Sequence, residues 1–383
     1  MNARSGTAPG FDFESLRRWP DIETENLFAS DATDRLLLDT VADQLPSTFS
    51  GEVVVVGDAY GALTLGAQHL GATEIRVHQD SITGERALAA NAERSGMAHS
   101  FTSHALDASL FDAARYVLLQ LPRSLDALEE VAWHIASNAA SDVTLLAGGR
   151  VKHMAPAMSQ VLEKYFGSVT AGLARQKSRV LTARHPLAAG PNPFPKGSAH
   201  DVGLERPLQL RAYGATFGGA KLDPGTRFLL PYLSEARAAR HAIDLGCGNG
   251  TIAAYLALAR PGLSVTASDA SAAAVAATRA SAEANGVGGR VAVVRDDALS
   301  QQPDGSAELV ALNPPFHSGH TVHAGIALKL FEDAARVLCP GGELWIVWNS
   351  HLQYRGALEK HVGPTRQVAR NPKFTVTVSA RRS

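Results

Sequence analysis

Cysteine is scarce in this sequence of 383 residues, which contains only Cys247 and Cys339. Without a Cys-x-x-Cys pair, the chain lacks the pattern of a zinc ribbon and of a disulfide framework. Its longest apolar stretches have the length of a strand and fall well short of the roughly 18 residues that a membrane span needs. Its start has no signal-peptide pattern, so we expect a cytoplasmic protein that does not enter a membrane.

A net charge of one sign is also missing. Lys and Arg total 36 against 37 Asp and Glu, which gives a formal charge of -1. This balance excludes a protein that coats nucleic acid through overall basicity, so any contact with nucleic acid must come from a local patch. The sequence says nothing firm about oligomeric state, and we expect a monomer.

The sequence does contain enough apolar material for two cores, since 45% of its residues are hydrophobic. A Pro/Gly cluster at 188–198 can continue neither a helix nor a strand, and we place the domain linker there. The expected domains are residues 1–190 and 200–383. Each half alternates short apolar runs with glycine turns and Ala-rich stretches, which is typical of parallel β/α/β units. The predicted fold is therefore α/β, with two doubly wound domains in tandem.

The two halves repeat each other. Gly61 and Gly250 end corresponding glycine turns, Asp80 and Asp269 end corresponding strands, and each pair is 189 residues apart. An internal duplication explains this spacing better than coincidence. The copies differ chemically, because the first turn lacks the Gly-x-Gly-x-Gly of the second. We therefore expect one active site, in the second half.

The glycine turn of the second half is a candidate cofactor loop. It runs from Asp244 through Gly246, Gly248, Asn249 and Gly250 into a helix. Without Cβ atoms at alternate positions, the main chain can take positive φ and a flat ligand can lie directly against it. The match to a dinucleotide fingerprint is poor, because the last glycine of that motif is missing. A turn that serves only close helix packing is the alternative.

Asp269 strengthens the cofactor hypothesis. It ends the next strand, 19 residues after Gly250. A carboxylate at this place can accept hydrogen bonds from both ribose hydroxyls of a nucleoside. The alternative is an ordinary N-cap of the following helix, and the two roles are compatible.

The tetrapeptide Asn313-Pro314-Pro315-Phe316 is the sharpest signal. A residue before proline is pushed to extended geometry, so Asn313 is expected at a strand end, where open α/β sheets bind ligands. Pro315 has no N–H, which leaves the Pro314 carbonyl outside a regular ladder. An amide oxygen and a carbonyl can then accept from an NH2 group on a ring, while Phe316 stacks on that ring. A plain turn with a buried Phe is the alternative.

Together these residues resemble the class I S-adenosylmethionine-dependent methyltransferases, and more closely the bacterial ribosomal RNA guanine-N2 methyltransferases of two tandem domains. The resemblance covers nearly the whole chain and is closest to the large-subunit members. It implies two Rossmann-like methyltransferase domains, a degenerate first one that recognises RNA and a catalytic second one. It also implies S-adenosylmethionine as cofactor and methyl transfer to the N2 of a guanine in ribosomal RNA.

The same resemblance implies individual roles. Residues 244–250 would hold the methionine part, Asp269 the ribose, Asp297 the adenine amine, and 313–316 the target guanine. Family members carry Asn where this chain has Asp297, and an Asp still accepts from an adenine amine. The remaining cofactor-binding residues implied are Phe217, Asp223, Arg227 and Asn313.

Three histidines, His317, His320 and His323, have a spacing that could suggest a metal site. They have no Cys or acidic residue near them in sequence, so we expect no metal and interpret them as solvated or facing the substrate. His317, beside the predicted guanine pocket, is a candidate RNA contact.

Basic residues concentrate between 141 and 211, where ten Lys and Arg stand against four Asp and Glu. This excess predicts a phosphate track, with Arg175, Lys177 and Arg179 as candidate RNA contacts. A solvated face balanced by acids elsewhere is the alternative.

Three other functions stay open from the sequence. The acceptor could be small-subunit RNA. It could also be a protein glutamine amide, whose NH2 group suits Asn-Pro-Pro, although those enzymes usually carry Tyr after the prolines. The third is a ribosome-assembly factor that uses a bound cofactor only structurally.

Overall fold

A computed structural model describes residues 10–42, 49–98, 101–315 and 320–382. The chain divides into two compact units, Met1–Pro193 and Phe194–Ser383. Each is an α/β unit built on a seven-stranded sheet of its described residues, which confirms the predicted fold.

The first unit alternates strands and helices along the chain. Its strands are β1 (Phe49–Ser50), β2 (Val53–Val56), β3 (Ala72–Thr73), β4 (Ile75–His78), β5 (Phe101–Ser103), β6 (Tyr116–Gln120), β7 (Thr144–Arg150), β8 (Phe166–Ala171) and β9 (Ser178–Pro186). Its α-helices are α1 (Ala32–Ala42), α2 (Ala62–His69), α3 (Ile82–Arg94), α4 (Ala108–Phe111), α5 (Leu125–Asn138) and α6 (Pro156–Glu163).

The second unit opens with a hairpin and then repeats the alternation. Its strands are β10 (Lys196–His200), β11 (Leu208–Ala212), β12 (His241–Leu245), β13 (Ser264–Asp269), β14 (Val291–Arg295), β15 (Ala307–Leu312), β16 (Leu338–Asn349), β17 (Thr365–Arg370) and β18 (Phe374–Ala380). Its α-helices are α7 (Pro224–Leu229), α8 (Thr251–Ala259), α9 (Ala272–Ala284), α10 (His320–Val337) and α11 (Arg355–His361).

The two large sheets have the same topology. Their strand orders are β5-β4-β2-β6-β7-β9-β8 and β14-β13-β12-β15-β16-β18-β17. In each sheet the first five strands run parallel and the last two pair antiparallel with their neighbours. This identity of order and direction agrees with the duplication predicted from the 189-residue spacing.

Burial on both faces of the sheet accounts for the composition of the central strands. β2 consists of four buried valines, Val53–Val56, and β12 is buried from Ala242 to Leu245. β-Branched residues suit such strands, because helices cover both faces of a parallel sheet. The strand order reverses between β12 and β15, and open α/β sheets bind ligands at the carboxyl ends of strands where such a reversal occurs.

Candidate active site

The glycine loop between β12 and α8 has two different surfaces. Gly246, Gly248 and Gly250 all have positive φ, at 72°, 54° and 79°. A Cβ atom on Gly246 or Gly248 would meet nothing within 4 Å, whereas one on Gly250 would lie 2.9 Å from the Cα of Thr278. Gly250 therefore allows close packing on α9, and the other two leave bare backbone beside open space. The packing interpretation of the glycine turn therefore applies at Gly250, while Gly246 and Gly248 leave room for the ligand that the other interpretation predicts.

Asp244 lies near the end of β12, just before this loop, and is fully buried. Its Oδ2 accepts a 2.9 Å hydrogen bond from the N–H of Ala253 in the first turn of α8, while its Oδ1 is buried without a partner in the described structure. Burial raises the pKa of Asp244 to about 7, and the nearby Asp269 carboxylate adds to the rise. An unpaired buried carboxylate oxygen favours a cationic or hydrogen-donating ligand.

Asp269 ends β13, as predicted, and joins the loop to the next helix. Its Oδ2 accepts from the N–H of Gly248 and its Oδ1 from the N–H of Ser271, both at 2.9 Å. The N-cap of α9 is Ser271, whose hydroxyl accepts from the N–H of Ala274. Asp269 is therefore not the cap itself, and it holds the glycine loop in place.

Asn249 connects the loop to the segment that carries Phe217. Its side-chain Nδ2 donates to the carbonyls of Gly219 and Lys221, each at 3.0 Å. The Phe217 side chain is 60% exposed. Asn249 therefore holds the backbone of residues 219–221 against the glycine loop. This backbone follows Phe217, whose side chain is exposed.

Asn313 follows the end of β15, as the prolines predicted, and its amide has a fixed orientation. Its Nδ2 donates to Oδ2 of Asp223 and to Oγ1 of Thr226, both at 2.9 Å. Asp223 is also the N-cap of α7, accepting from the N–H of Thr226. With both amide hydrogens engaged, Oδ1 of Asn313 is buried and has no partner among the described residues. The site therefore presents a preoriented acceptor.

Thr226 was not predicted from the sequence. The signal was present as Asp223-x-x-Thr226, the spacing of a helix N-cap and the residue whose N–H it accepts. What could not be seen was that the same two side chains would reach Asn313, which lies 87 residues after Thr226.

Asp297 lies in the loop after β14 and is paired with a lysine that no sequence motif indicated. Nζ of Lys329, on α10, lies 2.5 Å from its Oδ2. Asp297 is mostly buried and Lys329 is about half exposed. Arg227, by contrast, is exposed, with Nη1 3.4 Å from the carbonyl of Asp201.

Some of the predicted residues lie outside the part of the chain that the structure describes. Phe316 and His317 lie outside the described residues, as do the side chains of His320 and His323. No cluster of His, Cys, Asp or Glu able to hold a metal occurs in the parts of the chain that the structure describes. No helix in those parts is both long and apolar enough to cross a bilayer.

The three candidate RNA contacts surround the tight turn that leads into β9. Arg175 and Lys177 are exposed and Arg179 is partly buried. Arg175 is already engaged, with Nη2 3.1 Å from Oδ2 of Asp39.

The corresponding loop of the first unit has a similar backbone conformation but different side chains. Ala59 has φ of 55°, almost the value of Gly248, although it carries a Cβ. Val55 replaces Asp244 by the 189-residue offset. Asp58 takes over the helix cap, accepting from the N–H of Leu63 and Thr64 at 2.8 Å. The first unit therefore lacks, at this loop, the bare backbone that the second unit has at Gly248 and a carboxylate at the position of Asp244.

Comparisons with known proteins agree with this arrangement. Residues 207–378 match a family model described as methyltransferase small domain, and residues 7–186 match the RLMG N-terminal domain. The chain is 35% identical to ribosomal RNA large subunit methyltransferase G of Streptomyces coelicolor, covering 94% of this chain and 96% of the relative. It is 36% identical to the protein of that name from Ectopseudomonas mendocina, covering 97% and 98%.

A solved structure shares the fold over both units. It is the T. thermophilus 16S rRNA N2 G1207 methyltransferase in complex with S-adenosylmethionine and guanosine. The TM-score is 0.74 at 21% sequence identity, and the match covers 92% of each chain.

Proposed function

The chain belongs to the ribosomal RNA large subunit methyltransferase G family, and on that premise we propose that it transfers a methyl group from S-adenosylmethionine to the exocyclic N2 of a guanine in large-subunit ribosomal RNA. The second unit carries out the transfer and the first holds RNA. The observation that carries this proposal is the buried, unpartnered Oδ1 of Asn313.

This oxygen suits an aromatic amine. Both hydrogens of the Asn313 amide are used by Asp223 and Thr226, so the amide cannot turn round without losing them. A buried acceptor left unpaired destabilises the free protein, and the NH2 group of guanine supplies the missing donor. Accepting that hydrogen draws the nitrogen lone pair away from the ring and aims it at an electrophile.

Pro314 and Phe316 complete the acceptor site. Pro314 is buried, and we infer that its carbonyl is a second acceptor for the amine, because the following proline fixes the backbone and keeps this carbonyl out of a regular ladder. Phe316 stacks on the guanine ring. No strong base is required, because N2 becomes acidic as its bond to the methyl carbon forms, and it then releases its proton to water.

The residues of the loop fit the proposed cofactor. When bound, S-adenosylmethionine supplies an electrophilic methyl group on a positively charged sulfur. Bare backbone at Gly246 and Gly248 would accommodate its methionine part, and the unpaired Oδ1 of Asp244 would offer a partner for a cationic group. Asp269 would accept from the ribose hydroxyls and Asp297 from the adenine amine.

The remaining predicted residues divide into two groups. Phe217 and Arg227 are exposed, and we infer that they would contact the cofactor when it is bound. Asp223 contacts the N–H of Thr226 and the amide of Asn313, so we infer that it positions Asn313. The acceptor guanine is unpaired, because N2 lies inside a Watson–Crick pair and the base must leave the stack to reach Asn313.

The test is the identity of the methylated nucleoside. The purified chain is incubated with S-adenosylmethionine that carries an isotopically labelled methyl group, and separately with large-subunit RNA, small-subunit RNA and whole ribosomes. Nucleosides are then analysed by mass spectrometry. We expect labelled N2-methylguanosine from large-subunit RNA. Labelled N6-methyladenosine, or label in ribosomal protein, would show that the acceptor is assigned wrongly.

A further inference from the structure

The first unit contains a cavity of about 500 Å³ at the carboxyl edge of its sheet. Four segments line it, around residues 28–34, 57–60, 120–123 and 149–158. Its volume lies within the range of small-molecule sites, roughly 300–1,000 Å³. Although the first unit lacks the Gly-x-Gly-x-Gly loop, side chains have not filled the space at this edge of its sheet.

This cavity occupies the place of the candidate active site in the second unit. Val56 pairs with Leu119 in the first sheet, and Leu245 pairs with Leu312 in the second. Val56 and Leu245 are 189 residues apart, so the residues that follow Leu119 and Leu312 correspond. The counterpart of Asn313 is therefore Gln120.

Gln120 repeats the arrangement of Asn313. Its Nε2 donates to Oδ1 of Asp34, and the other oxygen of Asp34 accepts from the N–H of Asp31 at 2.7 Å. Asp34 follows Asp31 by three positions at the start of α1, as Thr226 follows Asp223 at the start of α7. The first unit therefore also has a side-chain amide that is hydrogen-bonded to the start of a helix, although it lacks the Gly-x-Gly-x-Gly loop.

Near this amide the first unit has an arginine where the second unit has a phenylalanine in sequence. Arg123 stands three residues after Gln120, the place that Phe316 holds after Asn313. Arg123 is exposed and Arg150 is partly exposed, and neither has an ion pair within the described parts of the chain. Burial raises the pKa of Asp34 to about 8, so this carboxyl is mostly neutral at pH 7 and does not offset the two cations.

The remaining acids at the cavity, Asp31 and Asp58, accept from N–H groups at helix starts, where the positive end of the helix dipole offsets part of their charge. Asp31 accepts from the N–H of Thr33 at 2.6 Å, and Asp58 from two N–H groups of α2. The cavity therefore offers two guanidinium groups for an anion and an amide for a polar ring edge. Phe28, which is 70% exposed, and Met154 offer apolar surface for a flat ring.

We propose that this cavity binds one unstacked nucleotide of the RNA substrate, with its phosphate on Arg123 and Arg150 and its base beside Gln120 and Phe28. Guanidinium groups pair with phosphate through two parallel hydrogen bonds, and bases unstack readily onto aromatic side chains. The proposal rests on the proposed function, which supplies RNA as the ligand. It gives the first unit a defined nucleotide contact in place of a general attraction to phosphates.

The test compares two variants of the full chain. Arg150→Ala removes a cation that lines the cavity, and Lys152→Ala removes an exposed cation two residues away that does not. Binding to a labelled single-stranded fragment of large-subunit RNA is measured by fluorescence anisotropy. We expect Arg150→Ala to weaken binding by about tenfold, the loss typical of one charge-assisted hydrogen bond, and Lys152→Ala by less than about twofold.

A crosslinking arm locates the nucleotide. RNA substituted with 4-thiouridine or 6-thioguanosine is irradiated on the wild-type chain, and peptides are sequenced by mass spectrometry. Crosslinks to the segments of residues 28–34 or 149–158 support the proposal. Equal losses in the two alanine variants, or crosslinks confined to other segments, would overturn it.

A free nucleotide carries the same phosphate and base, and guanosine monophosphate is the probe for it. If guanosine monophosphate binds the wild-type chain, Arg150→Ala abolishes that binding, and the two variants bind RNA equally, the cavity is a site for a free nucleotide and the proposal is wrong. Methylation of RNA by the wild-type chain is measured alongside. If the wild-type chain methylates RNA, these outcomes contradict only the cavity proposal. If it does not methylate RNA, the proposed function itself has failed.

Discussion

Asn313 donates its side-chain Nδ2 to Oδ2 of Asp223 at 2.9 Å, across 90 residues of sequence. Asp223 is itself held at the N-terminus of α7, where the same Oδ2 accepts from a backbone N–H at 2.8 Å. A helix start therefore holds the amide nitrogen of Asn313 and leaves Oδ1 as the unpaired atom. Substitutions can test this clamp, the cofactor loop, the buried acid beneath the loop and the basic turn of the first unit.

Replacing Asn313 with Ala should remove methyl transfer and spare the cofactor. The lost acceptor is one preorganised group, and such a loss typically lowers kcat by about 10²–10³. Single-turnover methylation measures the rate, and calorimetry measures S-adenosylmethionine affinity, which we expect to stay within a few-fold of wild type. Collapse of cofactor binding together with activity would contradict this division of roles.

Thr226→Val should slow the reaction through Asn313. Valine keeps the shape of this buried side chain but offers no oxygen, so one amide hydrogen of Asn313 loses its acceptor. We expect kcat to fall by about tenfold, consistent with one lost hydrogen bond, with an unchanged KM for S-adenosylmethionine. Thr226→Ser keeps the oxygen and should restore the rate. Equal rates for the Val and Ser variants would rule out the positioning role.

Gly248→Ala should weaken cofactor binding more than folding. Its Cβ would enter open space, and an alanine at positive φ is strained by only about 1–2 kcal/mol; Ala59 already adopts the same φ in the first unit. Gly250→Ala, with its Cβ 2.9 Å from the Thr278 Cα, should instead lower the unfolding temperature strongly. Calorimetry on the wild-type chain should give one cofactor per chain, and a stoichiometry near two would contradict the degenerate assignment of the first unit.

Asp244 should make stability depend on pH. Its folded-state pKa of about 7 lies above the ordinary value of 3.8, so the folded chain holds the proton more tightly than the unfolded chain. This stabilisation is complete below about pH 4 and is lost as the pH rises to about 7, by at most about 1.4 kcal/mol per pH unit. Asp244→Asn does not titrate, and its amide can still accept from Ala253. Thermal unfolding between pH 4 and 8 should show a flatter profile for Asp244→Asn, whereas parallel profiles would exclude the shift.

Neutralising the basic turn should weaken RNA binding. We choose Gln in place of Arg175, Lys177 and Arg179, because an acid at 175 would repel Asp39, which Arg175 now contacts. We expect lower affinity and a salt dependence reduced by about 0.7 in slope for each lost phosphate contact on single-stranded RNA. Cofactor affinity should not change. If the triple variant methylates RNA normally at every salt concentration, the turn is a solvated face and RNA follows another path.

Two motifs of the candidate site were predictable because each is local. A short apolar strand, alternating glycines and an Ala-rich helix specify a turn whose backbone can approach a ligand, and prolines after Asn313 force it to a strand end. The partner of Asn313 was not predictable from spacing. Thr226 and Asp223 lie far away in sequence, and only the placement of α7 beside the end of β15 brings them within hydrogen-bond distance.

By itself, the sequence determined the duplicated α/β architecture, the glycine loop and the strand-end positions of Asp269 and Asn313, because periodicity, turn residues and proline act over a few neighbouring residues. Only the tertiary structure decided that the Asn313 amide nitrogen is held and its oxygen left unpaired, that Lys329 pairs with Asp297, and that the first unit keeps a cavity beside Gln120. These features depend on sheet register and helix packing, which join residues that are distant in sequence and leave no periodic trace in it.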